Sequence, residues 1–320
     1  MSGASEIFRS LGDPTRLRVI ALLRAMELSV GELAQVLGQS QPRVSRHVRI
    51  LIDAGLAERR KEGSWVFLSL ADAARVEPLF DLLDRWRALD GEDPWMVADA
   101  ARLAAVRADR AAAAELYFAS HAKDWDELRS LHIAECEVEA AIARALDSSE
   151  RPIGRLVDIG TGTGRMISLF GPGASHALGV DRSPEMLRLA RVKLAEAGLA
   201  SAELRQGDMY ALPLSSGSAD TVILHQVLHY AQQPAAAVAE ASRLLAPGGR
   251  LLIVDFAPHD REELRSRDAH ARLGFADEVM LKYVEGAGLD ARVVEHLEGG
   301  ELTVTIWAGE RVESRLKVVA

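Results

Sequence analysis

Gly160, Gly162 and Gly164 stand at alternate positions after an apolar run, Leu156–Ile159, and before a segment that can form a helix. A strand, a tight turn and a helix N-terminus in this order hold nucleotide-like ligands against backbone N–H groups. Glycine suits such a turn because it allows positive φ and close approach of the backbone. The spacing differs by one residue from the dinucleotide-binding pattern, and acidic Asp158 precedes it. We therefore expect a nucleotide-like ligand here, held by the amides of the turn.

Apolar runs alternate with helix-compatible segments throughout the C-terminal half of the chain. This alternation predicts βαβ units and a parallel sheet that is covered on both faces. The last two runs are joined by a short glycine-containing turn, which predicts a hairpin, so the sheet should finish with an antiparallel strand. In chain order, the predicted strands are 156–159, 177–180, 202–206, 221–224, 251–254, 291–297 and 302–308.

The residues that follow these runs are candidates for ligand contact, because ligands of parallel sheets bind beyond the carboxyl ends of the strands. Asp181 closes the second run, where a carboxylate can accept two hydrogen bonds from ribose hydroxyls. The alternative for Asp181 is a turn acid or a contributor to a helix N-cap. Asp208 and Met209 follow the third run, and His225 follows the fourth. With the glycine turn, these residues predict a nucleoside site.

Short helices dominate the first ninety residues, and two of them are joined by a three-residue turn. Val30–Leu37 is the first, Gly38 breaks it, and the second runs over about 42–54 before Gly55. This pattern predicts a helix-turn-helix. The second helix buries one apolar stripe, and its opposite face can contact base edges and phosphates in a major groove. The residues of that face are Gln41, Arg43, Ser45, Arg46, His47 and Arg49.

A basic hairpin follows the second helix. Residues 56–60 and 65–70 predict two strands of a wing, and Arg60 and Lys61 lie where the first strand ends. Between Arg43 and Lys61 six residues are basic and two are acidic, although the whole chain has a net charge of −9. A solvated basic face on an ordinary helical bundle is the alternative. The turn, the glycine stop, the basic face and the basic hairpin together favour binding of double-stranded DNA.

The runs LGDPTRLRVIALL and ELSVGELAQVLGQSQPRVSRHVRIL, followed by the hairpin, resemble the winged helix-turn-helix of the ArsR (arsenical-resistance repressor) family. Many members bind a metal through a cysteine pair in the stretch that aligns with ELSVGEL. This chain has Ser29 and Gly31 there, and neither offers a thiolate, so we do not expect metal sensing. The resemblance implies a homodimer formed through the first and last helices, the latter at 75–89. A two-fold dimer would bind an operator with an inverted repeat.

The glycine turn in RLVDIGTGTGRMISL and the acids in LGVDRS and RQGDMY resemble motifs of the class I S-adenosylmethionine-dependent methyltransferases. The resemblance covers about residues 115–308 and implies S-adenosylmethionine or S-adenosylhomocysteine as the ligand. It implies that Asp208 meets the adenine amino group and that Met209 packs on the adenine ring. It also implies that Asp158 and His225 lie near the methionine part of the ligand.

An aromatic segment often precedes the glycine turn of methyltransferase-like proteins, and Tyr117 lies in such a segment here. The resemblance implies that it closes over the ligand; burial in a core is the equal alternative. His225 and His229, four apart, could share a helix face as metal ligands, but no third ligand is evident and we predict no metal. These two and His259 and His270 are the catalytic candidates, because a histidine could take a proton from a methyl acceptor. Pocket lining and a solvated lid are the alternatives.

Length and composition predict a soluble globular protein with more than one domain: 320 residues, 48% hydrophobic and 27% charged. The alternation of apolar runs and helical segments in the C-terminal half makes the predicted fold class α/β. No apolar run reaches the roughly 18 residues of a membrane span. No secretory signal is visible and the chain has a single cysteine, so we expect a cytoplasmic protein. We predict four parts: a winged helix-turn-helix and dimerisation domain at 1–92, a helical connector at 93–150, a Rossmann-like methyltransferase domain at 151–310 and a tail at 311–320.

Two functions are compatible with this combination. In the first, the protein is a transcriptional regulator whose second domain binds S-adenosylmethionine or S-adenosylhomocysteine as an effector. In the second, it is an S-adenosylmethionine-dependent methyltransferase of a small molecule that carries a DNA-binding domain. We favour the regulator because the DNA-binding face is complete and no catalytic base or nucleophile is identifiable. ArsR-type repressors fused to methyltransferase-like domains, which this chain resembles, include regulators of the methionine cycle that respond to S-adenosylhomocysteine.

Overall fold

Two compact units make up the chain in the computed structural model. The first comprises Met1–Ala113 and the second comprises Ala114–Ala320. The structure describes residues 2–62, 65–71, 73–90, 93–121, 135–146, 151–199, 202–298 and 301–312.

The first unit is a winged helix-turn-helix whose wing is part of a three-stranded antiparallel sheet in the order β1-β3-β2. The tip of the predicted wing turn lies outside the described residues. In chain order the elements are α1 (Ser2–Leu11), α2 (Pro14–Ala25), β1 (Leu28–Ser29), α3 (Val30–Leu37), α4 (Gln41–Asp53), β2 (Ala57–Glu62), β3 (Trp65–Leu70), α5 (Ala73–Asp90) and α6 (Pro94–His121).

Local capping fixes the start of α2 and both ends of α3. The Asp13 carboxylate accepts the Thr15 N–H at 2.8 Å and so caps the N-terminus of α2. Ser29 and Glu32 form a reciprocal capping box at the start of α3. Gly38, with a φ of 64°, ends α3 in the left-handed conformation that glycine tolerates. Helix α3 therefore has the bounds predicted from the sequence.

The first unit is larger than its predicted winged domain. Leu103 and Val106 of α6 are buried in the same apolar cluster as the helices of the winged fold. The first unit accordingly ends at Ala113, beyond the boundary predicted at residue 92. The helical connector predicted at 93–150 begins with α6, which runs from Pro94 to His121. The four-part division of the chain stays a prediction.

A seven-stranded sheet forms the centre of the second unit, in the order β6-β5-β4-β7-β8-β10-β9. Strand β10 is antiparallel to both of its neighbours, as predicted for the last strand. The elements are α7 (Glu135–Leu146), β4 (Gly154–Ile159), α8 (Arg165–Phe170), β5 (Ala174–Asp181), α9 (Pro184–Glu196), β6 (Glu203–Gln206), β7 (Ala219–His225), α10 (Pro234–Leu244), β8 (Leu245–Phe256), α11 (Glu263–Arg267), α12 (Asp277–Gly286), β9 (Asp290–Leu297) and β10 (Val304–Glu310).

Apolar side chains cover both faces of this sheet. Val157 and Ile159 of β4 lie in one apolar cluster, whereas Leu156 of the same strand lies in another. This division follows from the alternation of side chains along a strand. The parallel strands therefore end at one edge of a rigid, buried sheet. Among the described residues, no helix is long and apolar enough to cross a membrane.

Candidate functional site

The second helix of the helix-turn-helix, α4, has an apolar face and a polar face. Val44, Val48 and Leu51 are buried against the rest of the first unit. Val44 and Val48 are one turn apart, so the residues between them turn away from the core. The exposed residues include five of those predicted to bind DNA, Gln41, Arg43, Ser45, Arg46 and Arg49.

His47 differs from these five residues because it is half-buried. Its Nδ1 atom lies 3.8 Å from the Asp13 carboxylate, next to the start of α2. Arg60 and Lys61 lie on β2, where their backbones pair with β3, and their side chains lie outside the described part of the structure. Ser29, at one position where the resemblance would place a cysteine, accepts the Glu32 N–H at 3.2 Å.

The glycine turn of the second unit uses its backbone N–H groups internally. Gly160 and Thr161 both donate to the Val180 carbonyl, at 2.8 and 3.0 Å. Gly162 donates to the Asp181 carboxylate at 2.8 Å, and Gly164 donates to the Thr161 carbonyl. Three of these amides join the turn to β5, and the fourth closes the turn on itself. Their contact with a ligand stays a prediction.

Gly160 shows most clearly why this turn needs glycine. Its φ is 74°, and a Cβ atom there would lie 2.4 Å from Cγ2 of Val227, in the segment after β7. At Gly164, with a φ of 85°, a Cβ would lie 3.3 Å from Ala190 of α9. Only a residue without a side chain lets the turn approach both neighbours.

Asp181, the last residue of β5, connects the glycine turn to the following helix. One carboxylate oxygen accepts the Gly162 N–H and the other accepts the Ser183 N–H, each at 2.8 Å. Burial raises the pKa of Asp181 above its ordinary value, and these N–H groups oppose that shift. Each oxygen has a second lone pair, so the carboxylate can also accept hydroxyl groups of a ligand.

Asp158 and Asp208 lie at the ends of two further parallel strands. Asp158, in β4, is buried and accepts the Thr161 hydroxyl at 2.6 Å. Asp208 is exposed just beyond β6, and its Oδ1 atom accepts the Tyr210 N–H at 3.1 Å. Met209 packs against the core with part of its side chain exposed. Adjacent parallel strands thus bring the predicted ligand residues to one edge of the sheet.

The fourth strand at this edge, β7, ends at His225, which is buried. Gln226 follows with a φ of 49°, and its N–H donates to the Val254 carbonyl at 2.7 Å. Positive φ is uncommon for a residue other than glycine, and such strain is concentrated at functional sites. Since His225 ends a strand and His229 lies in a short 3₁₀ helix, no single helix face presents both.

A buried histidine–aspartate pair lies behind this edge. Nδ1 of His229 is 2.8 Å from the Asp255 carboxylate, and the two side chains are 3% and 0% exposed. The His229 and His270 rings are 4.3 Å apart, and His270 stacks on Phe256. His270 is buried, so the alternative of a solvated lid is wrong for this residue. His259, with its ring 6.4 Å from that of His270, is half-buried.

The helix before the sheet, α7, is fixed to the glycine turn. Arg165, the first residue of α8, makes two hydrogen bonds to the Glu139 carboxylate of α7, at 2.6 and 2.8 Å. Tyr117 lies on α6, and its side chain lies outside the described residues. Among the side chains that the structure describes, no group of three histidine, cysteine, aspartate or glutamate residues is arranged to hold a metal ion.

Sequence reasoning missed three features of this edge, namely the Tyr210 hydroxyl, the strained Gln226 and the Asp255 partner of His229. The Tyr210 hydroxyl accepts the Gln232 N–H at 2.8 Å, so it ties the β6 end to the segment after β7. Burial raises the pKa of Tyr210, which keeps the hydroxyl protonated. An aromatic residue two positions after Asp208 was the available signal for Tyr210.

Two family models match the chain in separate regions. One, described as a bacterial regulatory protein of the arsR family, matches residues 13–59. The other, described as a methyltransferase domain, matches residues 157–253. The first match contains most of the helix-turn-helix, and the second contains the strand ends described above.

Similar proteins match one unit or the other. An uncharacterized HTH-type transcriptional regulator of Methanocaldococcus jannaschii is 40% identical over 25% of this chain and 91% of its own length. An arsenic resistance transcriptional regulator of Pseudomonas putida is 37% identical over 31% of this chain and 75% of its own length. The uncharacterized methyltransferase YcgJ of Bacillus subtilis is 34% identical over 33% of this chain, and the match spans 42% of YcgJ. The crystal structure of YcgJ covers 54% of this chain and 99% of its own, with a TM-score of 0.48 and 20% identity.

Proposed function

Because this chain belongs to the arsR family of bacterial DNA-binding regulators and carries a methyltransferase domain, we propose that an S-adenosyl nucleoside is its effector. In this proposal S-adenosylmethionine or S-adenosylhomocysteine binds the second unit and changes the affinity of the first for an operator. The predicted resemblance of one half of the chain to arsR-family regulators and of the other to methyltransferases is confirmed. The roles of individual residues stay proposals. Such a regulator would act in the cytoplasm, where it meets both DNA and the nucleoside.

The observation that carries the effector proposal is the position of Asp181. Its carboxylate bonds to the glycine turn on one side and to the start of the next helix on the other, at 2.8 Å each. In our proposal it accepts the ribose hydroxyls, with Asp208 at the adenine amino group and Met209 on the ring. The glycine turn would lie against the ligand, as the sequence predicts. Asp158 and His225 would lie near the methionine part, and Tyr117 would close over the ligand.

The first unit would bind DNA as a homodimer. Phe8 of α1 and Trp86 and Leu89 of α5 are large apolar side chains that are more than half exposed. Exposed apolar groups of this size commonly mark protein interfaces, and these lie on the two helices through which we propose dimerisation. A two-fold dimer would present two α4 helices to an operator with an inverted repeat. The exposed basic residues of α4 would contact its phosphates and base edges.

A second candidate function is methyl transfer to a small molecule. The observation in its favour is the His229–Asp255 pair, because a carboxylate that accepts from Nδ1 leaves Nε2 as a proton acceptor. His225, His259 and His270 are the other candidates for such a base. Burial of His229 argues against direct contact with a substrate in the described conformation.

The decisive experiment is a fluorescence-anisotropy titration of the full chain on a duplex that it selects itself from a random-sequence pool. Titrations without nucleoside, with S-adenosylmethionine and with S-adenosylhomocysteine are run beside a screen for transfer of a radiolabelled methyl group. A changed DNA affinity without turnover supports the regulator, and turnover on a defined acceptor supports the enzyme. Calorimetry without any heat from either nucleoside would refute both functions for the second unit.

A further inference from the structure

Helix α6 makes a charged contact with the helix-turn-helix at Asp99. Among its described side chains, α6 buries Asp99, Leu103 and Val106, which recur at the spacing of one helix face. Two of the three are apolar and pack in the core, but Asp99 is a carboxylate that is only 2% exposed. A buried carboxylate requires a partner. The partner of Asp99 lies on α2, 81 positions earlier in the chain.

Arg18 of α2 is that partner. Its Nε and Nη2 atoms donate to the two Asp99 oxygens at 2.6 and 2.7 Å, which is the two-point geometry that makes such pairs directional. The Asp99 carboxylate raises the pKa of Arg18. The guanidinium also lies 5.1 Å from the ring centre of Trp95, at the start of α6. The Arg18 guanidinium therefore contacts two residues of α6.

The same side chains reach the end of α3, the first helix of the helix-turn-helix. Arg102 of α6 donates to the Val36 carbonyl at 3.2 Å, and Arg18 donates to the Leu37 carbonyl at 3.4 Å. These carbonyls belong to the last turn of α3, where a helix leaves acceptors unsatisfied and favours cations. Only Gly38–Ser40 separates this turn from α4. A movement of α6 would therefore move the residues from which the DNA-contacting helix begins.

Helix α6 also belongs to the second unit. It runs over 28 residues without an internal glycine or proline, a length of about 42 Å, and its residues from Ala114 onward are part of the second unit. A continuous helix transmits a displacement of one end to the other. We propose that Asp99, together with Arg102, is the positioning contact through which the second unit sets the orientation of α4. This inference rests on the proposed function, because it requires a nucleoside that changes DNA affinity.

The test compares Asp99→Asn with Asp109→Asn, an identical change at an exposed aspartate of the same helix. The measured quantity is the ratio of DNA dissociation constants with and without saturating S-adenosylhomocysteine, or S-adenosylmethionine if only that nucleoside changes the affinity of the wild type. Calorimetry gives the nucleoside affinity of each full-length variant. We expect Asp99→Asn to bring the ratio to within twofold of one while its nucleoside affinity stays within twofold of wild type. Asp109→Asn should keep the wild-type ratio.

Two further variants separate this role from a purely structural one. Arg18→Met with Asp99→Leu replaces the pair by apolar groups, which proteins commonly tolerate at buried ion pairs. Arg102→Ala removes the contact to Val36 and a 3.4 Å bond to Asp99 from a half-exposed side chain, and it leaves the Arg18–Asp99 pair in place. Both should fold, bind the nucleoside and show a ratio closer to one than the wild type. If the folded variants keep the wild-type ratio, the inference is wrong. If the ratio of the wild-type protein is itself one, so that neither nucleoside changes its DNA affinity, the proposed function is wrong instead.

Discussion

Replacement of Asp181 by asparagine should cost most of the affinity for the nucleoside and leave DNA binding intact. The carboxylate has two oxygens for two ribose hydroxyls, and asparagine has one. Hydrogen bonds to a charged group contribute about 1.5–3 kcal/mol and neutral ones about 0.5–1.5 kcal/mol. One charged bond is lost and the other becomes neutral, so we expect a loss of about 2.5–4.5 kcal/mol. That loss corresponds to roughly two to three orders of magnitude in the dissociation constant.

The measurement is calorimetry of the full chain with S-adenosylhomocysteine and S-adenosylmethionine. Asp290→Asn is the matched control, because Asp290 is exposed at the start of β9, at the other end of the sheet from the strand ends of the site. The variant must keep the circular dichroism spectrum of the wild type and its DNA affinity without nucleoside to within twofold. A folded Asp181→Asn protein that loses less than threefold in nucleoside affinity would refute the ribose assignment.

The pH dependence of binding gives a second measure of the same carboxylate. Burial raises the pKa of Asp181 in the folded protein, and only the ionised form accepts from both hydroxyls. Nucleoside affinity should therefore reach its full value above this raised pKa and fall as the pH decreases through it.

The effect of the same group on folding stability has the opposite sign, because the folded state binds this proton more tightly than the unfolded chain. The contribution of Asp181 to stability is present at low pH and is lost as the pH rises through the raised pKa. Asp181→Asn should abolish this pH dependence of nucleoside affinity and the contribution of this group to the pH dependence of stability.

Three further results are expected. Arg46→Ala should weaken binding to the selected duplex by about 1–3 kcal/mol in anisotropy titrations without changing nucleoside affinity; unchanged DNA affinity would contradict the role of α4. Gly160→Ala should lower the unfolding temperature by about 2–8 °C and weaken nucleoside binding, because of its positive φ and the contact with Val227. Gly198→Ala is its control, with a similar φ of 75° and open space around it, and an equal loss in both variants would exclude the contact as the cause. Dialysis against EDTA should leave DNA affinity and the nucleoside response unchanged, and a loss that Zn²⁺ restores would show that a metal is needed.

Local signals made the helix-turn-helix predictable. The bounds of α3 follow from Ser29, Glu32 and Gly38, all of which lie within one turn of the helix ends. The sheet was predictable for a related reason, since the central parallel strands β4, β7 and β8 are apolar runs buried on both faces. The antiparallel β10 was expected as the last strand. Its position between β8 and β9 depends on pairing across the sheet, which no local pattern records.

Contacts between distant parts of the chain were not predictable. Asp255 pairs with His229 from 26 positions away, and neither residue type signals that both will be buried. The glycine turn is recognisable from its spacing, but the acceptors of its amides, Val180 and Asp181, lie on the neighbouring strand, which no local pattern identifies. The positive φ of Gln226 accompanies a hydrogen bond from its N–H to Val254 of β8, a strand distant in sequence. Each of these features arises from packing between elements.

The size of the coupling limits how the second unit can act on the first. Effectors typically change the affinity at another site by about 1–3 kcal/mol. Removal of one partner from a buried ion pair costs about 3–5 kcal/mol, so complete rupture of the Arg18–Asp99 pair would require more energy than such an effector supplies. The nucleoside should therefore reorient α6 with this pair intact. Because the pair has two-point geometry, a reoriented α6 would take Arg18 and the last turn of α3 with it. An intact pair therefore allows an effector that contributes only a modest free energy to reorient α4.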